Sequence, residues 1–532
     1  METFMTSLRK LLRLSRWSRA VLCLGGLATL ITACSLLLDT GRDQCQSDTD
    51  CDTFSKQYTC QAGLCSDLGP RGCYAGTPSS TDPAALQSQF KNQCSRAQVV
   101  AFDNCVRLGM CHPTTDPLPP TIMPTPITGG TPPPPPPTPT LECIDSSRSV
   151  VVVGGSTAVQ PFLSVVAQLL AGTGFQLVYQ PSGSCTGVTQ LFSPDASKHV
   201  VKDIAGKNAL LFSPDGKPFP DGKVSHECTF STQNGMPPVT PVALDVAASD
   251  VFAISCDPAN ATPQGPIGEY FGPIQPMTFI VKAESKETSI SAEMGHVVFG
   301  RSSNDPNSNP YSDPALYFVR NSGSGTQQMI SRAIKVDATK WWGVDRGGST
   351  QVLTQLQAVS ALSANNAVGI LSTDFADTVR GSLRILAFQD VGQLAGYYPD
   401  SSLNTRDKRN VRDGHYSIWG PVHFFAALTT NNNTLPNMAA TALVNKFTAG
   451  KLDQPLLDAI IKGGLVPPCA MTVKRSSEMG PLEPYAPSAA CGCYFEAHVV
   501  DGQAPANCKT CSGPTDCSGD RPACNFGYCE AQ

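Results

Sequence analysis

Three short turns in the middle of the chain carry the residues best suited to chemistry: Gly155-Ser156-Thr157, Ser182-Gly183-Ser184 and Gly323-Ser324-Gly325-Thr326. Each follows a predicted strand and precedes a predicted helix. Glycine lets a backbone come close to a ligand. The first turn of a helix offers unpaired N–H groups and partial positive charge, and Ser or Thr hydroxyls add short donors. One such turn is ordinary helix capping. Three in one body point to an oxyanion site. Arg320, just ahead of the third turn, adds a forked pair of donors. Gly183-Ser184-Cys185-Thr186-Gly187 also fits an elbow that presents a nucleophile, with His296, His415 or His423 as base. Cys228 and Cys256 make a disulfide at Cys185 the stronger expectation, and the chain is read as a non-enzyme.

The elements that must position these turns follow from periodicity. Val150–Val153 is a β-branched run, as in a strand buried on both faces. Phe162, Val165, Val166, Leu169 and Leu170 repeat at helical spacing up to Gly172, and Phe175–Tyr179 reads as the next strand. That is a βαβ start. Further strands are expected at Val251–Ser255, Met277–Lys282, Ala315–Val319 and Val368–Leu371, and a helix over Thr326, Met329, Ile330, Ala333 and Ile334. The alternation predicts an α/β fold with mostly parallel sheets, in two lobes.

The body, residues 142–470, resembles the phosphate-binding subunit of bacterial ABC importers, a type II periplasmic solute-binding protein. The resemblance is collinear over most of 148–425. It rests on Gly155-Ser156-Thr157 with Pro161, on Tyr179-Gln180-Pro181-Ser182-Gly183-Ser184-Cys185-Thr186-Gly187-Val188, and on Ala248-Ser249-Asp250. Its strongest piece is Arg320-Asn321-Ser322-Gly323-Ser324-Gly325-Thr326; Ala367-Val368-Gly369-Ile370 is a weaker echo. The resemblance implies two lobes, about 148–265 plus 413–470 and about 266–412, closing on a ligand. It implies ligand contacts from Thr157, the backbone of Ala158, Ser184, Arg320, Ser324, Gly325 and Thr326, with Asp250 as the discriminating group. A carboxylate facing a desolvated oxyanion repels it unless the anion brings a proton, as phosphate does and sulfate does not. The ligand implied is inorganic phosphate or a related oxyanion, and the partner an ABC permease. Two departures stand out. Ser322 replaces the Asp that steadies the arginine in the family, and Ala158 replaces an aromatic. A segment near 193–243 is extra, lying beside the cleft or over it.

The ends of the chain place the body in the cell. Residues 1–33 combine Arg9, Lys10, Arg13, Arg16 and Arg19 with an apolar run from Ala20 to Ala33. The run is shorter than the ~20 residues a spanning helix needs. It is right for a signal peptide. Ile31-Thr32-Ala33-Cys34 is similar to a bacterial lipobox, which implies lipidation at Cys34 and a membrane-anchored protein of the cell envelope. Ser35 leans towards the outer membrane over the periplasmic side of the inner one. The chain has 22 cysteines; without Cys23 and Cys34 an even number remains, read as disulfides of an exported protein. Zinc is the competing reading of Cys491-x-Cys493 and Cys508-x2-Cys511, but no histidines stand at finger spacing. No metal or cofactor is expected.

Residues 34–112 are Cys-rich and 113–141 are a Pro-rich linker that favours extended polyproline II. Residues 471–532 are Cys-rich again. Cys45-x5-Cys51-x8-Cys60-x4-Cys65 echoes Cys511-x5-Cys517-x6-Cys524-x4-Cys529, which reads as one small disulfide knot used twice. A formal charge of −5 gives no case for nucleic-acid binding. The function expected is a tethered solute-binding lipoprotein for phosphate or a similar oxyanion. The alternative is a surface interaction or sensing lipoprotein that reuses the fold.

Overall fold

A computed structural model describes a hairpin at 58–61 and 64–67, then most of the chain from 141 to 531. It omits segments 145–146, 202–207, 231–241, 257–265, 302–307, 430–433 and 449–451, and residues 214, 436, 501 and 503. Residues 1–33, expected to be a signal peptide, Cys34 and nearly all of the Cys-rich and Pro-rich stretches before 141 lie outside the described residues. Among the described residues no helix is long and apolar enough to cross a membrane.

The hairpin pairs β1 (Tyr58–Gln61) with β2 (Leu64–Asp67). One mixed sheet then organises the body. Its first-lobe strands are β3 (Ser149–Gly155), β4 (Phe175–Gln180), β5 (Ala209–Phe212), β6 (Ser225–Cys228) and β7 (Val246–Ser249). β8 (Ile267–Lys282) follows, then β9 (Tyr317–Val319), β10 (Val344–Asp345), β11 (Val368–Ser372), β12 (Leu383–Ile385) and β13 (Trp419–Ala427). The strand order is β10-β9-β11-β8-β13-β7-β3-β4-β5-β6, with β12 also on β8.

β8 explains how one sheet serves two lobes. Over Ile267–Pro276 it pairs with β13, with a bulge between Phe271 and Ile274; from Met277 it pairs with β11 and β12. A Cβ on Gly272 in that bulge would lie 2.9 Å from the Phe424 ring, so the bend needs glycine. Helices cover the sheet: α1 (Gln160–Ala171), α2 (Ser184–Leu191), α3 (Ala292–Arg301), α4 (Gly325–Ala333), α5 (Ser349–Gln357), α6 (Thr373–Asp377), α7 (Met438–Thr448) and α8 (Gln454–Lys462). Buried side chains form separate cores. One surrounds Phe279, Phe299, Ile330 and Phe388 on the β9–β12 side. Two lie on opposite faces of the β3–β4–β7 region, around Phe162, Val166 and Leu443 and around Val178, Leu191 and Phe425. Separate cores joined by crossing strands are the two-lobed α/β arrangement that the resemblance implies.

Several details differ from the sequence reading. Within the main sheet, among the described residues, pairing is parallel only for β3 with β4 and β7 and for β9 with β10 and β11; β8 and β13 run antiparallel to every main-sheet neighbour. A strand that must cross between lobes pairs with both, and direct antiparallel pairing needs no helical crossover. The strand expected at Val251–Ser255 is Val246–Ser249, and Ala253–Ser255 is a 3-10 turn. Ser249 ends pairing there because its hydroxyl bonds the backbone N–H and C=O of Val251. Ala315 lies in a 3-10 turn before β9. In α1 the buried face is Phe162, Leu163, Val166, Ala167 and Leu170, turned from the expected stripe because α8 packs on it as well as the sheet. Described parts of the extra segment add β5 and β6 to the sheet's outer edge, where Cys143 is bonded to Cys228.

Residues 471–499 complete the second-lobe core rather than standing apart: Met471, Val473, Met479, Cys491, Tyr494 and Phe495 are buried in it. Here Cys469 bonds Cys491, and Cys493 bonds Cys508. The terminal knot joins Cys511 to Cys524 and Cys517 to Cys529 across a hairpin of β14 (Ala523–Asn525) and β15 (Tyr528–Glu530). The sulfurs of Cys511, Cys517 and Cys529 lie within 4.8 Å of one another. They are disulfide sulfurs, which answers the zinc reading for this cluster. In strand register Cys524 stands opposite Cys529, as Cys60 stands opposite Cys65 in the N-terminal hairpin.

The second lobe also buries a charge cluster. The Lys408 ammonium is fully buried, 2.7 Å from Asp377 and 3.0 Å from Asp400, and Arg380 bonds the same two carboxylates. Removing one member leaves an uncompensated buried charge. Lys408→Met should therefore lower unfolding stability by about 3–5 kcal/mol, read by chemical denaturation; a change near zero would show that the cluster relaxes freely.

Candidate functional site

The turns meet where the lobes face each other. Gly155 ends β3 at φ 135°, and a Cβ there would fall 2.0 Å from the Ala248 carbonyl oxygen. Only glycine fits. Its own carbonyl accepts from the Gly183 N–H at 2.7 Å, which ties the first turn to the second. The Cys185 N–H donates to the Gly323 carbonyl at 3.0 Å, which ties the second turn to the third. The Arg320 guanidinium donates to the Thr157 hydroxyl at 2.9 Å, joining third and first. Each link spans residues far apart in sequence, so the convergence is a product of the fold.

Most of the residues expected from sequence are gathered here. The Ser184 hydroxyl donates to the Asp250 carboxylate, and both side chains are buried. A Cβ on Gly325 would fall 1.7 Å from Asp250 Oδ1 and 2.5 Å from Ser184 Oγ, so the third turn presses directly on this pair. Thr326 is buried beside it at the start of α4, with no partner for its hydroxyl, and Asp250 Oδ2 likewise has none. Two expected donors are already engaged. The Ala158 N–H donates to Ser156 Oγ at 3.1 Å, and the Ser324 N–H to the Asn321 carbonyl at 3.0 Å. What the Ala158 backbone contributes is its carbonyl, which accepts from Gln275 at 2.9 Å. Gln275 also donates to Asp374 at 3.1 Å, tying the first turn to the second lobe.

Three residues were missed. Ser349 Oγ accepts from Arg320 at 3.2 Å and lies 3.3 Å from Thr157 Oγ1. The Gly347 carbonyl accepts from Arg320 Nε. Both belong to a fourth strand–glycine–serine–helix turn, Gly347-Gly348-Ser349-Thr350, between β10 and α5. Its pattern matches the other three and was legible. Tyr179 is fully buried at the end of β4, and its hydroxyl has no hydrogen-bond partner.

Burial dominates the electrostatics. It raises the Asp250 carboxyl, against the lowering effect of the Ser184 hydrogen bond and the Arg320 charge. It brings the Arg320 guanidinium down to about 10, opposed by the charges of Asp250 and Asp345. Arg320 stays a cation at neutral pH. Burial also lifts the Tyr179 phenol well above its usual value, with the Asp250 charge adding to it and Arg320 opposing.

The nucleophile reading fails on geometry. Cys185 is bonded to Cys256, so there is no thiol. Of the proposed bases, His296 is bonded to the Ile334 carbonyl at 3.0 Å, His415 to Asp413 at 2.6 Å and His423 to Glu269 at 2.7 Å. Residue Ser322 contributes its carbonyl to Gln328 at 2.6 Å. From the C-terminal side, Glu478 accepts from the Phe252 N–H at 3.1 Å, two residues beyond Asp250, and the Arg475 guanidinium lies 4.1 Å from the Trp419 ring centroid.

No family model and no curated sequence matches the chain. Among solved structures, a phosphate ABC transporter substrate-binding protein from Clostridium perfringens is 12% identical. It covers 60% of this chain and 99% of its own, at a TM-score of 0.37. An ABC-type phosphate transport receptor from Vibrio cholerae is 14% identical over 60% and 100%, also at 0.37. The OxyR regulatory domain from Pseudomonas aeruginosa is 9% identical over 56% and 96%, at 0.30. Similarity this low leaves the site to be read from its own geometry.

Two outcomes follow. Gly325→Ala should destabilise the body by about 1–3 kcal/mol through overpacking, read as a lower denaturation midpoint; an unchanged midpoint would mean that the third turn is not pressed on Asp250. Burial also pushes the Asp374 carboxyl up to about 7. A carboxyl raised in the folded state stabilises fully below its unfolded value near 3.9 and loses that contribution as pH rises through 7. Asp374→Asn should therefore flatten the fall in stability between about pH 4 and pH 7; an unaltered slope would remove Asp374 as its source.

Proposed function

We propose that this chain is an extracytoplasmic solute-binding protein whose interlobe site takes phosphate or a similar tetrahedral oxyanion. The observation that carries the reading is the meeting of four glycine–serine/threonine turns around a buried arginine, with a single buried carboxyl, Asp250, among the donors. Hydroxyls, helix starts and a guanidinium favour a compact anion. Asp250 favours an anion that still bears a proton, because a fully deprotonated one would set lone pair against lone pair in a buried site. In this reading the lobes close on the ligand by hinge motion at β8 and β13. A lipid on Cys34 and the proline-rich stretch would hold the body off the membrane, and an ABC permease would receive the ligand.

A second reading, a surface sensing or interaction lipoprotein, draws support from the C-terminal segment. Glu478 bonds a first-lobe loop while its neighbours fill the second-lobe core, a brace on the hinge that suits signalling as well as delivery.

Calorimetry on the lipid-free chain tests the anion-binding reading. Phosphate should bind with measurable heat. A saturating ligand, at a hundred times its dissociation constant, should add ~2.7 kcal/mol to stability. Arg320→Ala should abolish binding, and Asp250→Asn should narrow the preference for phosphate over sulfate. No heat with phosphate, or sulfate competing equally in the unaltered protein, would sink the assignment.

A further inference from the structure

We propose that Ser349 is a positioning residue: with the Gly347 carbonyl it holds the Arg320 guanidinium in place by neutral oxygens and so keeps its charge available to an anion. The inference rests on the anion-site reading and concerns which residue sets its charge preference.

Arg320 is 4% exposed, and its hydrogen bonds run to the Gly347 carbonyl, to Ser349 Oγ at 3.2 Å and to Thr157 Oγ1 at 2.9 Å. Every one of these acceptors is uncharged. Among the described residues no carboxylate oxygen lies within ion-pair distance of the guanidinium; Asp250 and Asp345 act on it only through space. A buried cation without a paired anion is costly, and the cost falls when an anion arrives. Another charge cluster shows the contrasting arrangement in the same lobe, where Arg380 is locked to Asp377 and Asp400. Its charge is already matched.

The cradle is built to fix direction without charge. Gly347 has φ 86°, so the turn bends its carbonyl through a conformation that glycine adopts freely. Ser349 opens α5 and is 1% exposed. Its hydroxyl also lies 3.3 Å from Thr157 Oγ1, which closes a triangle of Arg320, Thr157 and Ser349 across the cleft. Arg320 and Ser349 stand on second-lobe turns and Thr157 on a first-lobe turn. The guanidinium is thus held within its own lobe by Gly347 and Ser349 and meets the first lobe at Thr157, and Ser349 is the side chain that aims it there. The class of ligand this suits is a small oxyanion whose own charge completes the pair.

The test uses the lipid-free chain with inorganic phosphate as probe. Ser349→Ala should weaken phosphate about tenfold, and Ser349→Thr, which keeps the hydroxyl, should restore affinity to within about twofold. Ser349→Asp should weaken it more than Ser349→Ala, about a hundredfold, because it supplies the missing anion internally. That same variant, without ligand, should melt above the unaltered protein. In an Arg320→Gln background the gain should vanish, which separates pairing with Arg320 from a general benefit of acid at a helix start. Unchanged affinity in Ser349→Ala, tighter binding in Ser349→Asp than in Ser349→Ala, or a melting gain that survives Arg320→Gln would each overturn the proposal. If the unaltered protein gives no phosphate heat, the anion-site reading fails; the ligand-free melting cycle still decides whether Ser349 holds Arg320.

Discussion

The Arg320 guanidinium is the constraint around which the interlobe site is arranged. It is buried, it is a cation, and it is bonded to a carbonyl and two hydroxyls on turns from both lobes. Buried charges are normally paired or neutralised. This one is oriented and left unmatched by direct contact. The glycines that let the turns crowd together, at 155, 183, 325 and 347, are what bring those oxygens within reach. Asp250 sits close enough to be felt and is itself occupied by Ser184. The site therefore separates orientation, supplied by neutral groups, from charge complement.

The scaffold supplies the geometry through two strands. β8 and β13 belong to both halves of the sheet, and the turns project from elements on either side of them. Gln275 lies on β8 and touches both the first turn and Asp374, which ties the crossing strand to the Thr157 turn. The bulge at Gly272-Pro273 places the compliance beside that crossing. From the other side, Arg475 lies over Trp419 at the start of β13 and Glu478 holds the loop after Asp250.

Much of this was legible in the residues. The β3–α1–β4 unit, the helix from Gly325 and the three turns all declare themselves locally, because periodicity and glycine placement are local signals. The repeated cysteine spacing was legible too, and in both hairpins it sets the last two cysteines opposite one another in strand register. What escaped was decided at a distance. The antiparallel crossing depends on β8 finding β13 some 150 residues later. Strand β7 ends early because the Ser249 hydroxyl captures the backbone at Val251, a competition that a β-branched pattern does not show. Ser349 was missed for a different reason: its turn has the same glycine–serine pattern as the others, but its value appears only when Arg320 arrives beside it. Glu478 carried no signal at all, standing in a stretch that composition assigned to a separate Cys-rich unit.

The placement of residues 471–499 in the second-lobe core has a consequence for biogenesis. That lobe begins with β8, yet its interior stays open to water until Tyr494 and Phe495 arrive, over two hundred positions later. A chain emerging N-terminus first would complete the first-lobe β3–α1–β4 unit early and keep the second lobe waiting, with Cys469 and Cys491 unjoined. Maturation of the arginine-bearing lobe is thereby coupled to formation of the Cys469–Cys491 bond.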